Sequence, residues 1–372
     1  MESLVNTFGN VYRGKTVLVT GHTGFKGSWL VSWLLELGAN VVGVSKDIPT
    51  SPSMFEVMGL SAETENYYLD VQDTDALITV IKRHRPHFVF HLAAQAIVST
   101  SYSEPMETMR SNVIGTASVL QALRSLEQKC CVVMITSDKC YDNVEWIWGY
   151  KETDHLGGKD PYSASKGAAD IIIRCFVESY FSLEHSPVLI ATARAGNVIG
   201  GGDWARDRLV VDCVKAWSKG DVVRIRCPDA TRPWQHVLEP LSGYLLLGNE
   251  LWVSGVSHGE AYNFGPMPEQ NRSVLELIKD LTSSWRLNGD EAYIITQEMP
   301  FNEAELLKLN CDKALGSLKW RSTLSYSETV GLVGEWYRVY FREPHADVKK
   351  LTLDQIRFYE NKAAERGLVW AS

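Results

Sequence analysis

The stretch Thr16-Val-Leu-Val-Thr-Gly-His-Thr-Gly-Phe-Lys-Gly27 joins an apolar run to a turn that is rich in glycine. Residues 16–20 are mostly apolar and β-branched, which is typical of a strand buried on both faces. The turn's glycines are spaced G-x-x-G-x-x-G, and an amphipathic segment then runs from Phe25 to Leu37. Such a turn lets the backbone approach a pyrophosphate, to which the helix N-terminus offers free N–H groups. The stretch predicts a dinucleotide-binding turn, and a tight turn without a ligand is the alternative.

The alternation of strand and helix continues along the chain. Strands are predicted over 41–44, 67–69, 88–92, 131–135 and 188–192, and helices over 73–84, 105–126 and 163–181. This spacing predicts an α/β fold with a doubly wound, parallel Rossmann sheet. After Arg194 the rhythm breaks. Helices are predicted over 206–219 and 236–251, an irregular segment over 227–234, a last strand over 262–264, and mostly helices from Ser273.

A chain of 372 residues has room for one large or two fused domains. We expect an NAD-binding Rossmann domain from 1–193 together with about 236–265. A smaller, mostly helical substrate-binding lobe would come from about 194–235 and 266–372.

Charge and cysteine content narrow the class of protein. The chain has 37 Lys and Arg residues and 45 Asp and Glu residues, which give a net charge of −8. This charge disfavours an extended electrostatic binding surface for nucleic acid or for an anionic membrane. The 7 cysteines lack metal-site spacing and are expected to be reduced thiols. Residues 1–13 lack the apolar core of a secretory signal, and the apolar run 29–44 is broken by Glu36 and Gly38. We therefore expect a soluble, cytoplasmic protein with no metal site.

The end of the second predicted strand carries opposing signals for the choice of cofactor. A carboxylate here binds the ribose hydroxyls of NAD, whereas a basic group accepts the 2′-phosphate of NADP. The sequence is Val44-Ser-Lys-Asp47, in which Asp47 favours NAD and Lys46 would tolerate NADP. Asp70, after the third strand, is placed either to meet the adenine end of the cofactor or to cap the next helix.

Tyr162 and Lys166 lie four residues apart at the start of a predicted helix, so both side chains can reach one site. A free tyrosine has a pKa of about 10, too high for a base at neutral pH. A neighbouring ammonium and a positively charged nicotinamide would both lower that pKa. The phenolate could then accept a proton from an alcohol while a hydride leaves for NAD.

Together, the turn from Thr20 to Gly27, Leu92-Ala-Ala-Gln95, Asn112 and the Tyr162/Lys166 pair resemble the extended short-chain dehydrogenase/reductase family over nearly the whole chain. The resemblance implies that Ser137, at the end of the fifth strand, donates to the substrate O4. It also implies NAD as cofactor, bound by Gly21, His22, Thr23, Gly24, Phe25, Lys26, Gly27, Ser45, Asp70, Val71, Leu92, Ala93, Ala94, Gln95, Asn112, Tyr162 and Lys166.

The residues after Ser137 resemble the nucleotide-sugar 4,6-dehydratases of this family. In these enzymes an acidic residue follows the Ser or Thr and protonates O6 as water leaves, and a Glu then removes the C5 proton. Asp138 matches the acid, whereas Lys139 stands where Glu is usual. Lys139 is therefore either the C5 base, which requires a neutral amine, or a group that orients Asp138.

Longer runs, at 146–152, 156–162 and 194–204, resemble the branch of these dehydratases that acts on CDP-glucose. The implied reaction oxidises C4, eliminates water across C5 and C6, and returns the hydride to C6. The product is a CDP-4-keto-6-deoxyhexose for deoxysugar biosynthesis, as in lipopolysaccharide O-antigen. The implied substrate contacts are Gln95, Ser101, Ser137, Asn197, Asp203, Trp204, Arg208 and Arg232.

The helices over 105–126 and 163–181 resemble the family's dimer interface, which implies a homodimer or homotetramer. Trp146 and Trp148 either belong to the core or cover the active site. Two other functions stay open. One is a related nucleotide-sugar enzyme of the same family: another 4,6-dehydratase, an epimerase, which the Asp138/Lys139 pair disfavours, or a reductase, which would consume cofactor stoichiometrically. The other is a noncatalytic NAD-binding protein, which would have no need of Ser137 and Tyr162.

Overall fold

Seven parallel strands form the central sheet of the computed structural model, in the order β11-β6-β5-β4-β1-β2-β3. The structure describes residues 7–285, 287, 292–296 and 306–372. The predicted doubly wound α/β fold is confirmed, including a last strand at the sheet edge beside β6. The strands of this sheet are β1 (Thr16–Thr20), β2 (Asn40–Ser45), β3 (Glu65–Tyr68), β4 (Phe88–His91), β5 (Cys130–Ile135), β6 (Val188–Ala195) and β11 (Ala261–Phe264).

Helices cover both faces of the sheet, and successive strand residues point into two different cores. Val17 and Val19 of β1 pack in the larger core, whereas Leu18 packs in the other core. The helices are α1 (Phe25–Glu36), α2 (Met54–Val57), α3 (Thr74–His84), α4 (Val98–Ser103), α5 (Pro105–Met109), α6 (Gly115–Leu123), α7 (Pro161–Tyr180), α8 (Leu209–Ser218), α9 (Leu238–Val253), α10 (Val274–Trp285), α11 (Tyr326–Arg342) and α12 (Val348–Glu365).

Among the described residues, three small two-stranded sheets lie outside the central sheet. They pair β7 (Val198–Ile199) with β10 (Gln235–His236), β8 (Val223–Ile225) with β13 (Tyr293–Ile295), and β9 (Thr231–Pro233) with β12 (Asn271–Ser273). The proposed two-lobe division stays a prediction, and residues 286, 288–291 and 297–305 of its second lobe lie outside the described residues. In the part of the chain that the structure describes, no helix has both the length and the apolarity that a bilayer span needs.

Two segments differ from the pattern that the sequence predicts. The single helix predicted over 105–126 is α5, a π-helical turn at Arg110–Ile114, and α6. The segment predicted to be irregular over 227–234 contains β9, which pairs antiparallel with β12. Both differences depend on tertiary contacts. In the π turn, Asn112 binds the loop at Gln95, and β9 pairs with a strand about forty residues away. Local hydrophobic periodicity cannot predict such contacts.

Candidate active site

The strand order reverses between β1 and β4, so the loops that leave their carboxyl ends run to opposite faces of the sheet and leave a crevice between them. The glycine turn and the segment from Leu92 to Gln95 border this crevice. A Cβ atom on Gly21 would lie 2.7 Å from the Ala93 nitrogen, so only glycine permits this approach. Helix α1 begins after Gly24, and among the described residues no side chain caps it. Its first-turn N–H groups fit a pyrophosphate, the charged part of NAD.

His22 and Ser45 hold the turn against β2. The Ser45 hydroxyl lies 2.8 Å from His22 Nδ1 and accepts a hydrogen bond from the Thr23 N–H at 3.3 Å. His22 Nε2 lies 2.9 Å from Asn66 Oδ1, and burial lowers the pKa of His22. These predicted cofactor residues therefore fix the turn's shape through contacts with each other, with a neutral imidazole at pH 7.

Lys46, the basic signal at the end of β2, forms ion pairs with Asp70 and Glu107 and not with Asp47. Lys46 Nζ lies 3.3 Å from Asp70 Oδ2 and 3.1 Å from Glu107 Oε1. Asp70 also accepts a hydrogen bond from the Gln72 N–H at 3.0 Å, whereas Asp73 caps α3. Asp70 thus shapes the turn before α3 and neutralises Lys46, which lessens the attraction of Lys46 for a 2′-phosphate.

Asn112 links three parts of the candidate site. Its Oδ1 accepts the Gln95 N–H at 2.8 Å, and its Nδ2 donates to the Gln95 carbonyl at 3.1 Å and to Ser165 Oγ on α7 at 2.8 Å. Val71, another predicted cofactor residue, packs beneath Gly115 at the start of α6. Ser101 is fully buried, and its hydroxyl donates to the Val98 carbonyl at 2.7 Å. Asn112 therefore positions the loop after β4, and Ser101 faces the interior.

The predicted catalytic residues come together at the ends of β5 and α7. Ser137, Asp138, Tyr162 and Lys166 are all buried, and Lys139 is half-buried. The Ser137 hydroxyl donates to Asp138 Oδ1 at 2.9 Å and accepts the Lys139 N–H at 3.2 Å. Ser137 also acts to lower the pKa of Tyr162, against the larger effect of burial. Lys166 Nζ lies 5.9 Å from the centre of the Tyr162 ring.

Burial dominates the electrostatics of this group. It raises the pKa of Asp138, against the opposing effects of Lys139 and the Ser137 hydrogen bond. It lowers the pKa of Lys166 to about 8. The lowered Tyr162 pKa that the sequence analysis expects is not found for the protein alone, because burial raises that pKa and the main opposing charge is Arg208.

Two features of the site are absent from the sequence analysis. Lys26, expected only among cofactor contacts, reaches towards α9, with its Nζ 3.4 Å from the Tyr244 hydroxyl, and burial lowers its pKa to about 8. Arg194 of β6 forms a buried ion pair with Asp170 of α7 at 2.6 Å. A lone arginine in the apolar run of β6 is a sequence signal for such a pair, whereas no local pattern reports the reach of Lys26.

A cavity of about 230 Å³ contains most of the predicted substrate residues of the second lobe, together with two arginines that the sequence analysis did not select, Arg224 and Arg226. The predicted residues in its lining are Asn197, Asp203, Arg208 and Arg232. A group of arginines in one cavity suits a ligand with phosphate groups.

Trp204 lies apart from this cavity lining. Its ring is 5.6 Å from Trp336 and 5.1 Å from Tyr340, and its side chain is buried. The structure therefore places it in an aromatic cluster with Trp336 and Tyr340, next to Asp203 in the chain.

A second cavity, of about 260 Å³, borders Asp138 and is lined by Ile147 and Trp148. Trp146 is 41% exposed and Trp148 is 69% exposed. These exposures exclude a core position for either tryptophan and leave a cover over the active site as the remaining alternative.

Comparison with known proteins adds independent findings. The sequence pattern of the GDP-mannose 4,6 dehydratase family matches residues 18–332. A CDP-glucose 4,6-dehydratase of Salmonella typhimurium is 44% identical over 337 residues, which cover 90% of this chain and 93% of that protein. A dTDP-glucose 4,6-dehydratase of Xanthomonas campestris (strain B100) is 24% identical over 343 residues, covering 87% of this chain and 93% of that protein.

Solved structures show the same fold. A dTDP-glucose 4,6-dehydratase of Streptomyces venezuelae with bound NAD superposes with a TM-score of 0.74 and 21% identity, covering 88% of this chain and 99% of that chain. A UDP-glucose 4-epimerase of Thermotoga maritima with UDP-glucose superposes with a TM-score of 0.75 and 23% identity, covering 88% of this chain and 100% of that chain.

Proposed function

Because this chain belongs to the GDP-mannose 4,6-dehydratase family, we propose that it is an NAD-dependent lyase that converts CDP-glucose to CDP-4-keto-6-deoxyglucose. The nucleotide and the sugar follow from the 44% identity to a CDP-glucose 4,6-dehydratase over nearly the full length of both chains. They agree with the runs at 146–152, 156–162 and 194–204 that resemble this branch.

The observation that carries the proposal is the buried carboxyl of Asp138, one hydrogen bond from Ser137 and beside Tyr162. Alcohol oxidation alone needs a base and its supporting lysine, but it does not need a buried acid. Burial favours the neutral carboxyl, which is the form that can donate a proton to a leaving hydroxyl. The site therefore combines the requirements of oxidation with those of water loss.

In the proposed mechanism, Tyr162 accepts the O4 proton while Ser137 orients O4, and Lys166 stabilises the phenolate. The glycine turn and the N-terminus of α1 would hold NAD, which would supply the hydride acceptor for C4 and the hydride donor for C6. The 4-ketone acidifies C5–H, so a neighbouring base can remove that proton, and Asp138 protonates O6 as water leaves.

Lys139 is the proposed C5 base because it directly follows the acid and is half-buried at the end of β5. The alternative is that Lys139 orients Asp138. The charge of Lys139 acts to lower the Asp138 pKa, against the effect of burial. These two roles predict different partial reactions.

The arginine-lined cavity is the proposed site for the CDP group of the substrate, with Arg232 and Arg208 on the diphosphate. Arg208 follows a loop that is held against the segment after β4, since its Nη2 donates to the Ala96 carbonyl at 3.3 Å. Asn197 and Asp203 complete the proposed contacts in this cavity, and Gln95 is proposed near the hexose.

A homodimer or homotetramer is proposed to form through the face of α5, the π turn and α7. Met106, Ile114 and Ile171 on this face are more than half exposed, which suits burial against a second copy of the chain. We place the enzyme in the cytoplasm, where its product would enter deoxysugar biosynthesis, including that of lipopolysaccharide O-antigen.

Mass spectrometry of CDP-, dTDP-, GDP- and UDP-glucose, incubated with the protein and NAD in heavy water, tests the function. We expect CDP-glucose to lose one water and gain one solvent deuterium at C5, with no net cofactor reduction. A change of sugar configuration without loss of water would establish an epimerase instead. Cofactor binding with no change in any sugar would favour a noncatalytic protein.

A further inference from the structure

Elimination of water requires a pocket for the leaving group as well as an acid. In the proposed reaction Asp138 protonates the C6 hydroxyl of the sugar, so a lone pair of O6 must face that carboxyl. The hydrogen already on O6 then needs an acceptor of its own. The water that forms has two hydrogens to donate, so the requirement for acceptors grows as the C6–O6 bond breaks.

The cavity of about 260 Å³ beside Asp138 is lined by three residues that each have a buried polar atom without a partner. These atoms are Gln235 Oε1, Asn271 Oδ1 and Ser322 Oγ, and none of them has a hydrogen bond among the described residues. Gln235 is 1% exposed and Ser322 is 5% exposed. Because buried polar atoms are normally paired, these three indicate an occupant of the cavity that forms hydrogen bonds.

The side-chain amide of Gln235 has a fixed orientation. Its Nε2 donates to the Gly196 carbonyl at 3.4 Å and to the Phe264 carbonyl at 3.2 Å. A carbonyl oxygen can only accept a hydrogen bond, so the NH₂ group of the amide must face these two carbonyls. Oε1 is therefore the unpaired atom, and it can only accept. A group that meets Gln235 in the cavity must be a donor.

Gly196 contacts both this acceptor residue and the acid. Its carbonyl accepts from Gln235, and a Cβ atom at its position would lie 2.4 Å from Asp138 Oδ2. Only glycine therefore leaves room for the Asp138 carboxyl where it stands. Asp138 Oδ1 accepts the Ser137 hydroxyl at 2.9 Å, so the proton of the neutral acid belongs on Oδ2. The proton donor and the unpaired acceptor thus lie on either side of one glycine.

We propose that this cavity is the leaving-group pocket of the dehydration and that Gln235 Oε1 accepts the hydrogen of the C6 hydroxyl while Asp138 protonates O6. The C5–H electron pair becomes the C5–C6 double bond, and the C6–O6 bond breaks as O6 gains the proton of Asp138. Water leaves with both hydrogens, and Gln235 exchanges only a hydrogen bond. This role rests on the proposed dehydration.

The rest of the cavity suits the departing water. Asn271 Oδ1 accepts hydrogen bonds and Ser322 Oγ both donates and accepts them, so each can bind a water molecule that has left Gln235. The lining also includes Trp148, which is mostly exposed, so the cavity extends from the buried acid to the protein surface. The cavity therefore offers the water a polar path away from the reacting sugar.

Binding measurements test the contact without turnover. CDP-6-deoxyglucose has a methyl group at C6 and offers Gln235 no donor. Titration calorimetry with the NAD-loaded Tyr162→Phe protein, which should not oxidise the sugar, compares this compound with CDP-glucose. We expect CDP-glucose to bind about tenfold more tightly, and we expect that ratio to fall by about fivefold or more when Gln235→Met is added. An unchanged ratio in Gln235→Met would overturn the proposal.

Gln355→Met is the matched control. Gln355 is also buried, its Nε2 donates to the Leu332 carbonyl at 3.0 Å, and its Oε1 has no partner among the described residues, but it does not line this cavity. The ratio of the two affinities should stay the same in this variant. An equal fall in Gln355→Met and Gln235→Met would show a general effect of losing a buried amide and would overturn the contact with O6.

A crystal structure decides the case if Gln235→Met does not fold. In Tyr162→Phe with NAD and CDP-glucose, we expect O6 in the cavity, within about 3.2 Å of Gln235 Oε1. An O6 atom beyond hydrogen-bond distance from Oε1 would overturn the proposal. Product formation by the unmodified protein tests the proposed function separately. Dehydration of CDP-glucose with an unchanged binding ratio would reject the contact alone, whereas no dehydration of any nucleotide sugar would reject the function and the leaving-group role with it.

Discussion

At the scale of single residues, Asp138 is suited to acid chemistry by its burial at the end of β5. Its carboxyl accepts a hydrogen bond from Ser137, and burial raises its pKa despite the nearby Lys139. Tyr162 is buried beside it and begins the same site from α7. The proposed acid for water loss and the proposed base for oxidation therefore lie within one small group, and their removal should block different steps.

Asp138→Asn should separate the two steps. The amide keeps the shape of the side chain but cannot donate a carboxyl proton, so we expect water loss to fall by about 10²–10⁴-fold while C4 oxidation persists. Rapid mixing with CDP-glucose, followed by absorbance of the reduced nicotinamide and by mass spectrometry, measures both steps. The comparison variant is Tyr162→Phe, which should lose oxidation itself. Equal loss of oxidation in both variants would contradict these roles.

Lys139→Met tests the C5 base, since methionine keeps the length of the side chain without the amine. If Lys139 is the base, solvent deuterium should enter C5 about 10²-fold or more slowly, with C4 oxidation intact. Deuterium incorporation is followed by mass spectrometry in heavy water. Unchanged exchange at C5 together with slower water loss would instead assign Lys139 to orienting Asp138.

Sequence analysis reaches residues that are neighbours in the chain more easily than residues that meet in space. Ser137, Asp138 and Lys139 are consecutive, and Tyr162 and Lys166 lie one helical turn apart. The grouping within each set can therefore be predicted from spacing in the sequence. The position of Trp204 and the reach of Lys26 towards Tyr244 depend on how the lobes pack around them. Spacing in the sequence does not predict that packing.

At the scale of elements, α7 carries functional and structural groups on one face. Tyr162, Lys166 and Asp170 follow each other at four-residue steps. Asp170 accepts hydrogen bonds from Arg194 of β6 at 2.6 Å and from Thr136, the residue after β5, at 2.9 Å. The ion pair thus fixes the position of α7 relative to the carboxyl end of β5, after which Asp138 lies.

Asp170→Ala should destabilise the protein strongly, because it leaves the Arg194 charge buried without its carboxylate. Removing one partner of a buried pair costs about 3–5 kcal/mol in the free energy of unfolding. Urea unfolding followed by circular dichroism measures the change. Arg174→Ala is the matched control, since Arg174 forms an ion pair with Glu178 on the exposed face of the same helix. A midpoint shift no larger than that of the control would contradict the structural role of Asp170.

The elements that the sequence predicts best are those with strong local periodicity. The strand from Thr16 to Thr20 and the helix from Phe25 begin at the predicted residues. The π turn at Arg110–Ile114 escapes prediction because its extra residue per turn is accommodated by the bonds of Asn112 to Gln95 and Ser165. A tertiary contact of this kind overrides local helix propensity without changing it.

At the scale of the whole molecule, the reversal of strand order between β1 and β4 opens the cofactor crevice, and the arginine-lined cavity lies outside the central sheet, against β7 and β8. The parallel α/β architecture follows from strand–helix alternation. The joint position of Arg224, Arg226 and Arg232 does not, because these arginines lie in or beside the short strands β8 and β9, whose partners β13 and β12 are distant in the chain. The fold was therefore more accessible to sequence reasoning than the substrate cavity.

Self-association through the face of α5 and α7 predicts that charge on this face yields monomers. Met106→Glu and Ile171→Glu would each place a carboxylate in an apolar interface, and desolvating an unpaired charge there is costly. Sedimentation velocity measures the result. Val256→Glu, at an exposed valine outside this face, should leave the assembly unchanged. An unaltered oligomer in both interface variants would contradict the proposed face, as would a monomeric unmodified protein.

The most direct test of the account uses CDP-glucose that carries deuterium at C4, incubated with the protein and NAD. The central claim is that the hydrogen removed from C4 returns to C6 within the same site while water is lost. We predict a 4-keto-6-deoxy product, lighter than the substrate by one water, with deuterium at C6 and no accumulation of reduced cofactor. Water loss without deuterium at C6, or a change of configuration at C4 with no loss of water, would contradict the account.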